Sequence, residues 1–158
     1  MSRFQFRLQR VLELREEAER AHAVALNQAQ GQAAAARSVR TSIEEARAAS
    51  QQSLTRASNT GSPVSALQQL QYVLGALDVR LQLANSNVIT ADSLVRRAQD
   101  ELRLAFQARH ALDTLREKQA DVHRAAEQQT DRALMDEIAL TRYHNDTSPT
   151  DSERSTNG

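Results

Sequence analysis

Histidine side chains are the first candidates for catalysis or metal binding in this chain of 158 residues, which contains no cysteine. The four histidines lie at positions 22, 110, 123 and 144. No two of them are four residues apart, the spacing that would place two metal ligands on one face of a helix. We therefore expect no metal site and no cofactor.

Neighbouring carboxylates are the second candidates, because paired acids perform general acid–base catalysis. They occur at positions 16–17, 44–45 and 136–137. On a helix, adjacent side chains point about 100° apart, so such a pair does not converge on one substrate. The sequence also lacks a glycine-rich phosphate loop and a nucleophile elbow. These observations predict a protein that is not an enzyme.

The elements that carry these residues are expected to be helices. Alanine, glutamine, arginine and glutamate, all good helix formers, dominate the sequence, while glycine occurs only at 31, 61, 75 and 158 and proline only at 63 and 149. The five aromatic side chains are too few for a large globular core. The expected fold class is all-α and elongated.

Helix boundaries follow from capping signals. Ser2 and Gln5 form a capping-box pattern, which predicts a first helix over 3–58. Gly61 and Pro63 predict a turn over 59–63, because glycine caps helix ends and proline cannot continue a helix. The short connection indicates an antiparallel coiled-coil hairpin over residues 1–144.

The second helix is predicted over 64–143, and the polar residues 145–158 are predicted to be a disordered tail. Apolar residues alternate along this helix at spacings of three and four, which indicates a coiled-coil seam. They are Leu67, Leu70, Leu74, Leu77, Leu81, Ala84, Val88, Ala91, Val95, Ala98, Leu102 and Ala105. Because Asn85–Asn87 fall beside this seam, we expect the helix to continue through them.

The first helix shows a weaker seam. Its predicted members are Val11, Leu14, Ala18, Ala21, Ala25, Ala36, Val39, Ile43 and Ala46. The two predicted helices differ in length, at roughly 80 Å and about 120 Å. Counting outward from the turn places Phe4 opposite residue 120. Most of 121–143 should then lack an intramolecular partner.

Charge and hydropathy exclude several partners. The chain has 20 basic and 20 acidic residues, so its net field favours neither nucleic acid nor an anionic membrane. No apolar run approaches the roughly 20 residues that span a bilayer. The absence of cysteine suits a reducing compartment, which predicts a cytoplasmic protein.

The N-terminus combines aromatic and basic side chains. Arg3, Arg7 and Arg10 form one stripe if this segment is helical, and Phe4 and Phe6 lie beside them. The stripe is either a solvated face or a docking surface for an acidic partner.

Both ends of the chain resemble a known family. The segments "FQFRLQRVLELREEAE" at 4–19 and "LREKQADVHRAAEQQTDRALMDEIALTRY" at 115–143 are similar to the two ends of the FliJ family of flagellar export stalk proteins. The resemblance implies a cytoplasmic coiled coil, peripheral to the inner membrane, in the bore of the hexameric export ATPase. It also implies binding to the cytoplasmic domain of the export gate and to substrate chaperones.

Two sets of contact residues follow. Predicted ATPase contacts lie at the end of the hairpin far from the turn: Arg3, Phe4, Phe6, Arg7, Arg10, Leu134, Met135, Asp136, Glu137 and Ile138. The resemblance places the export-gate contact near the start of the second helix: Leu70, Leu74, Leu77 and Leu81. These leucines also belong to the predicted seam.

Other functions remain open. The virulence-type secretion systems have stalk proteins of the same architecture. A structural coiled coil that self-associates, or a helical chaperone or adaptor, would have a similar sequence pattern. A stalk should be a monomer when free, whereas a scaffold should form homodimers through 121–143.

Overall fold

The computed structural model describes residues 3–147, and it contains two long α-helices packed against each other. Helix α1 is Gln9–Asn59 and helix α2 is Val64–Asp146. Ion pairs between the helices join progressively earlier α1 residues to later α2 residues, as antiparallel packing requires: Arg47 with Asp78, Arg37 with Asp92, and Glu19 with Arg109. The prediction of an all-α antiparallel hairpin is confirmed. No strand occurs between residues 3 and 147.

The turn between the helices is closed by Gly61. Its φ of 69° is left-handed, a conformation that glycine adopts without steric cost. The Ser62 amide donates to the Ala57 carbonyl at 3.1 Å, which is the bond of a Schellman cap. On the other side of the turn, the Pro63 carbonyl accepts the amides of Ala66 and Leu67 and begins α2.

The seam of α2 is confirmed along its whole predicted length. All twelve predicted seam residues from Leu67 to Ala105 are at least partly buried, and Ala84, Val88 and Ala91 form the best-covered stretch. The helix is continuous through Asn85–Asn87, and these three residues are exposed. They lie off the seam, so their low helix propensity is outweighed by the packing on either side.

The predicted seam of α1 is only partly correct. Leu14 and Val39 are exposed, as are most of the other residues assigned to it. The buried or half-buried row alternates at spacings of three and four and shares Ala36 and Ile43 with the predicted seam: Glu19, His22, Leu26, Ala29, Ala33, Ala36, Arg40 and Ile43. Because three of these positions are polar, a search for apolar periodicity passes them over. The other predicted positions, such as Leu14 and Val39, lie beside the observed seam.

Helix α1 begins at Gln9 rather than at residue 3. The Gln9 amide donates to the Phe6 carbonyl at 3.1 Å, and the Leu12 amide donates to the Leu8 carbonyl at 2.9 Å, where the helical bonding starts. Residues 3–6 have no regular secondary structure. Helix α2 runs to Asp146, slightly past the predicted end, and the rest of the predicted tail, 148–158, lies outside the described residues.

Contacts between residues divide the chain into two units. Glu13–Arg109 form one, which we call the hairpin unit because it contains the turn. The N-terminal residues up to Leu12 form the other with α2 from His110 onward, and we call it the terminal unit.

Candidate functional site

The histidines and carboxylates considered for chemistry lie mostly on helix surfaces. In the hairpin unit, His22 Nδ1 lies 3.8 Å from Glu101 Oε2. In the terminal unit, His123 Nδ1 lies 3.7 Å from Glu127 Oε2, one turn along the same helix. Among residues 3–147, no three histidine or carboxylate side chains form a group that could hold a metal ion.

Of the N-terminal aromatic residues, Phe4 packs against α2 within the terminal unit. The rings of Phe4 and His123 are 5.6 Å apart at their centroids and tilted by 59°. This pairing lies close to the predicted alignment of Phe4 with residue 120, and Phe4 and Ala120 line one open cavity of about 590 Å³. Phe6 is only 8% exposed. Phe6, one of the predicted ATPase contacts, is therefore a core residue of this unit.

The three N-terminal arginines are exposed, but they do not form the predicted helical stripe. Arg3 and Arg7 precede the start of α1, whereas Arg10 lies within it. A stripe at spacings of four and three requires one continuous helix from residue 3 onward. The segment around the buried Phe6 is not helical, so its side chains do not follow the helical spacing that the stripe requires.

The C-terminal part of α2 exposes a row of large apolar side chains. Leu134, Met135 and Ile138 are all exposed, as are the flanking Asp136 and Glu137. Leu134 follows His123 by three helical turns, and Ile138 follows Ala120 by five. The apolar row therefore continues the face of α2 that packs against the N-terminal segment.

The two sets of predicted ATPase contacts are not brought together. Leu134 and Ile138 follow His123, the neighbour of Phe4, by eleven and fifteen residues on the same helix. At 1.5 Å per residue this is a separation of about 17–22 Å. They belong to the same unit but form two separate surfaces.

The predicted gate contacts belong to the seam. Leu70, Leu74, Leu77 and Leu81 are half-buried and lie on the same face of α2 as the buried Ala84. Their side chains are thus mostly committed to packing inside the hairpin unit.

A second apolar row on this part of α2 was missed by the sequence reasoning. Tyr72, Val79 and Leu83 are 80%, 66% and 63% exposed. Their spacings of seven and four place them on one face, with Ala76 completing the row. The signal was present in the sequence as a second set of apolar residues at helical spacing beside the leucine seam.

Comparison with known proteins decides the family. The sequence model described as "Flagellar FliJ protein" matches residues 4–148. The chain belongs to the FliJ family. Among curated protein sequences, none matches it. A solved structure described as a YscO homolog from Chlamydia trachomatis matches at 15% identity with a TM-score of 0.47, over 92% of this chain and 100% of the other. That similarity is too low to support an inference.

Membership in the FliJ family places the chain among the stalk proteins of type III protein export, which are non-enzymatic components of the export apparatus. The family match extends over both the N-terminal segment and the exposed C-terminal row of α2. No helix within residues 3–147 is long and apolar enough to cross a membrane.

Proposed function

We propose that this FliJ-family chain is the central stalk of the hexameric export ATPase in a flagellar type III export apparatus. It would link the ATPase ring to the cytoplasmic domain of the export gate and to substrate chaperones. Its place would be the cytoplasm, at the periphery of the inner membrane. The proposal depends most on the exposed apolar row of Leu134, Met135 and Ile138, together with the family match.

The ATPase contact is proposed to include this C-terminal row with Asp136 and Glu137. Exposed apolar side chains on one helix face indicate a surface that another protein covers. Burying each large side chain contributes about 1.5–3 kcal/mol before ordering costs. Arg3, Arg7 and Arg10 would add a salt-sensitive attraction to an acidic part of the ring.

The aromatic residues of the N-terminal segment take different parts in this proposal. Phe4 is half-buried, so part of its ring remains available to a partner. Phe6 supports the terminal unit from within and would act on the ATPase only by holding the segment in place.

The test of the ATPase contact is a triple substitution of Leu134, Met135 and Ile138 by alanine. Losing two or three such contacts should weaken binding to the partner ATPase at least tenfold and reduce its stimulation accordingly. Leu140→Ala is the control, because Leu140 is 68% exposed, close to the 69% of Met135, and lies on another face of the helix. Unchanged stimulation by a folded triple variant would contradict the assignment.

The arginines are tested separately by changing Arg3, Arg7 and Arg10 to glutamate. The association rate with the ring should fall, and the difference from the original chain should shrink as salt is added. A rate that is unaffected at low salt would remove these residues from the contact.

The gate contact is proposed for the exposed row of Tyr72, Val79 and Leu83 beside the seam leucines. Alanine at these three positions should weaken gate binding while the helical circular dichroism and the melting temperature stay near those of the original chain. Leu74→Ala serves as the comparison, because a seam residue should lower the melting temperature. If the exposed-row variant binds the gate normally, the contact lies elsewhere.

A self-associating structural coiled coil is the second candidate, because the exposed row of Leu134 and Ile138 would also fit a second copy. Sedimentation velocity distinguishes the two functions. A stalk is expected to be a monomer when free, and the triple alanine variant should sediment like the original chain. A dimer that this variant abolishes would favour the structural role.

A further inference from the structure

An open groove runs between the two helices inside the hairpin unit, and its lining residues belong to none of the contact surfaces proposed above. It has a volume of about 710 Å³. Its walls extend over Glu16–Leu26 on α1 and Gln99–Arg109 on α2, which is about three helical turns on each side. This length would accept a short helical segment.

The floor of the groove is apolar. Ala23 and Leu26 contribute from α1, and Leu102 and Phe106 from α2. Phe106 is 45% exposed, whereas the other two phenylalanines of the chain are buried or half-buried. An aromatic side chain left this open in a helical groove can anchor a partner's aliphatic side chain.

One end of the groove is held by an ion pair. The Arg109 guanidinium pairs with Glu19 on the opposite helix and lies 5.1 Å above the centre of the Phe106 ring. The carboxylate neutralises this arginine, and the cation–π contact fixes the ring. The floor is thus preorganised, which lowers the ordering cost of binding.

The remaining charge of the groove walls is basic. Besides the Glu19–Arg109 pair, Arg20 and Arg103, one from each helix, line the groove together with one further acid, Glu16. Arg20 is exposed, and its guanidinium forms no ion pair with another of the residues 3–147. Arg103 bonds Asp100 at 3.2 Å, but both side chains are about two thirds exposed, so this pair is weak and a ligand carboxylate could compete for the arginine.

We infer that this groove is a docking site for an acidic amphipathic helix of a protein partner. The partner helix would place aliphatic side chains at i, i+4 and i+7 over Phe106, Leu102 and Leu26, because these spacings lie on one helix face. Its glutamates or aspartates would meet Arg20 and Arg103. The inference is independent of the ATPase and gate contacts, which use other residues.

Phe106→Trp provides the test, because the chain contains no tryptophan and the new indole would be the sole one. The probe is a synthetic helical peptide of about four turns with leucines at i, i+4 and i+7 and glutamates beside them. Binding should shift the indole emission to shorter wavelength and saturate. Leu104→Trp is the control, since Leu104 is exposed and does not line the groove.

Charge selectivity supplies the decisive comparison. In the Phe106→Trp background, changing Arg20 and Arg103 to glutamate should weaken binding of the acidic peptide at least tenfold and favour the same peptide with lysines in place of glutamates. Arg80→Glu, at an exposed site outside the groove, should change neither affinity. No spectral shift with either peptide would overturn the inference, as would equal binding by the charge-reversed variant and the Arg80→Glu control.

Two further results would have different meanings. An emission shift that rises with protein concentration alone, with a dimer in sedimentation, would mean that a second copy occupies the groove, and the inference would be wrong. ATPase stimulation by the Arg20→Glu, Arg103→Glu variant should remain normal. Loss of peptide binding with normal ATPase stimulation would support the groove as a docking site and would not bear on the proposed stalk function. Unchanged stimulation by the triple alanine variant would contradict the proposed ATPase contact and would not affect the groove result.

Discussion

Two sections of the hairpin unit show opposite ways of pairing the same two helices. In the section around Ala33, Ala84, Val88 and Ala91, the seam consists of small apolar residues that are buried. In the groove section, Glu19 and His22 occupy seam positions and the cavity opens beside them. Small side chains allow helices to approach closely, whereas long polar ones hold them apart.

The difference indicates that the two sections of the helix pair have different roles. The small-residue section supplies packing, with each contact contributing little area but leaving little space. The groove section supplies an ion pair that fits one alignment of the helices and an exposed aromatic ring. Stability and recognition are therefore placed at different positions along α1 and α2.

The largest effect is expected from Ala33→Asp. Ala33 is 1% exposed, so the carboxylate would lie between the helices without a partner. The free energy of unfolding should fall by about 3 kcal/mol or more. Ala34→Asp, at the exposed neighbouring position, should cost only about 0.7 kcal/mol through lower helix propensity. Equal losses in urea unfolding would show that the small-residue section is not the packed one.

An intermediate effect is expected from the ion pair in the groove section. Glu19 and Arg109 are each 23% exposed, so removing one partner leaves the other charge partly buried. Glu19→Leu or Arg109→Leu alone should cost about 1–3 kcal/mol. The double substitution should be close to neutral, because two apolar side chains replace the pair. A double variant that loses the sum of the single effects would contradict this account.

The smallest effect is expected from the exposed ion pairs nearer the turn. Arg47 and Asp78 are each about half exposed. Asp78→Asn should lower the free energy of unfolding by about 0.2–1 kcal/mol, and the loss should vanish in high salt. Asp131→Asn, on the exposed part of α2 with no ion pair among residues 3–147, is the control. A larger, salt-independent loss would mean that this pair, too, fixes the helix alignment.

The sequence predicted α2 better than α1 for a physical reason. The seam of α2 is made of leucine, valine and alanine, so apolar periodicity finds it directly. On α1 the positions of Glu19, His22 and Arg40 break the apolar pattern, and the neighbouring row of Val11 and Leu14 fits it better. The burial of Glu19, His22 and Arg40 depends on residues far away in sequence, and local periodicity carries no information about those residues.

The candidate contact surfaces, too, could be predicted from the sequence only in part. The exposed row of Leu134 and Ile138 could be predicted, because the lengths of the two helices imply that part of α2 extends past α1. The burial of Phe6 could not be predicted, because it depends on a non-helical segment at a place where the capping box predicted a helix. The position of Phe106 in a groove could not be predicted either, because the groove exists only once both helices are paired.

The Schellman cap at Gly61 has a consequence for how the chain folds. Pairs along the hairpin unit join residues separated by 31 positions at Arg47 and Asp78, by 55 at Arg37 and Asp92, and by 90 at Glu19 and Arg109. Closing the longest loop directly would require a rare encounter, but each pair formed nearer the turn shortens the loop that the next must close. Folding is thus expected to begin at the turn around Gly61 and to proceed along both helices away from the turn. The residues around Phe106 would then be among the last of this unit to assemble and the first to open.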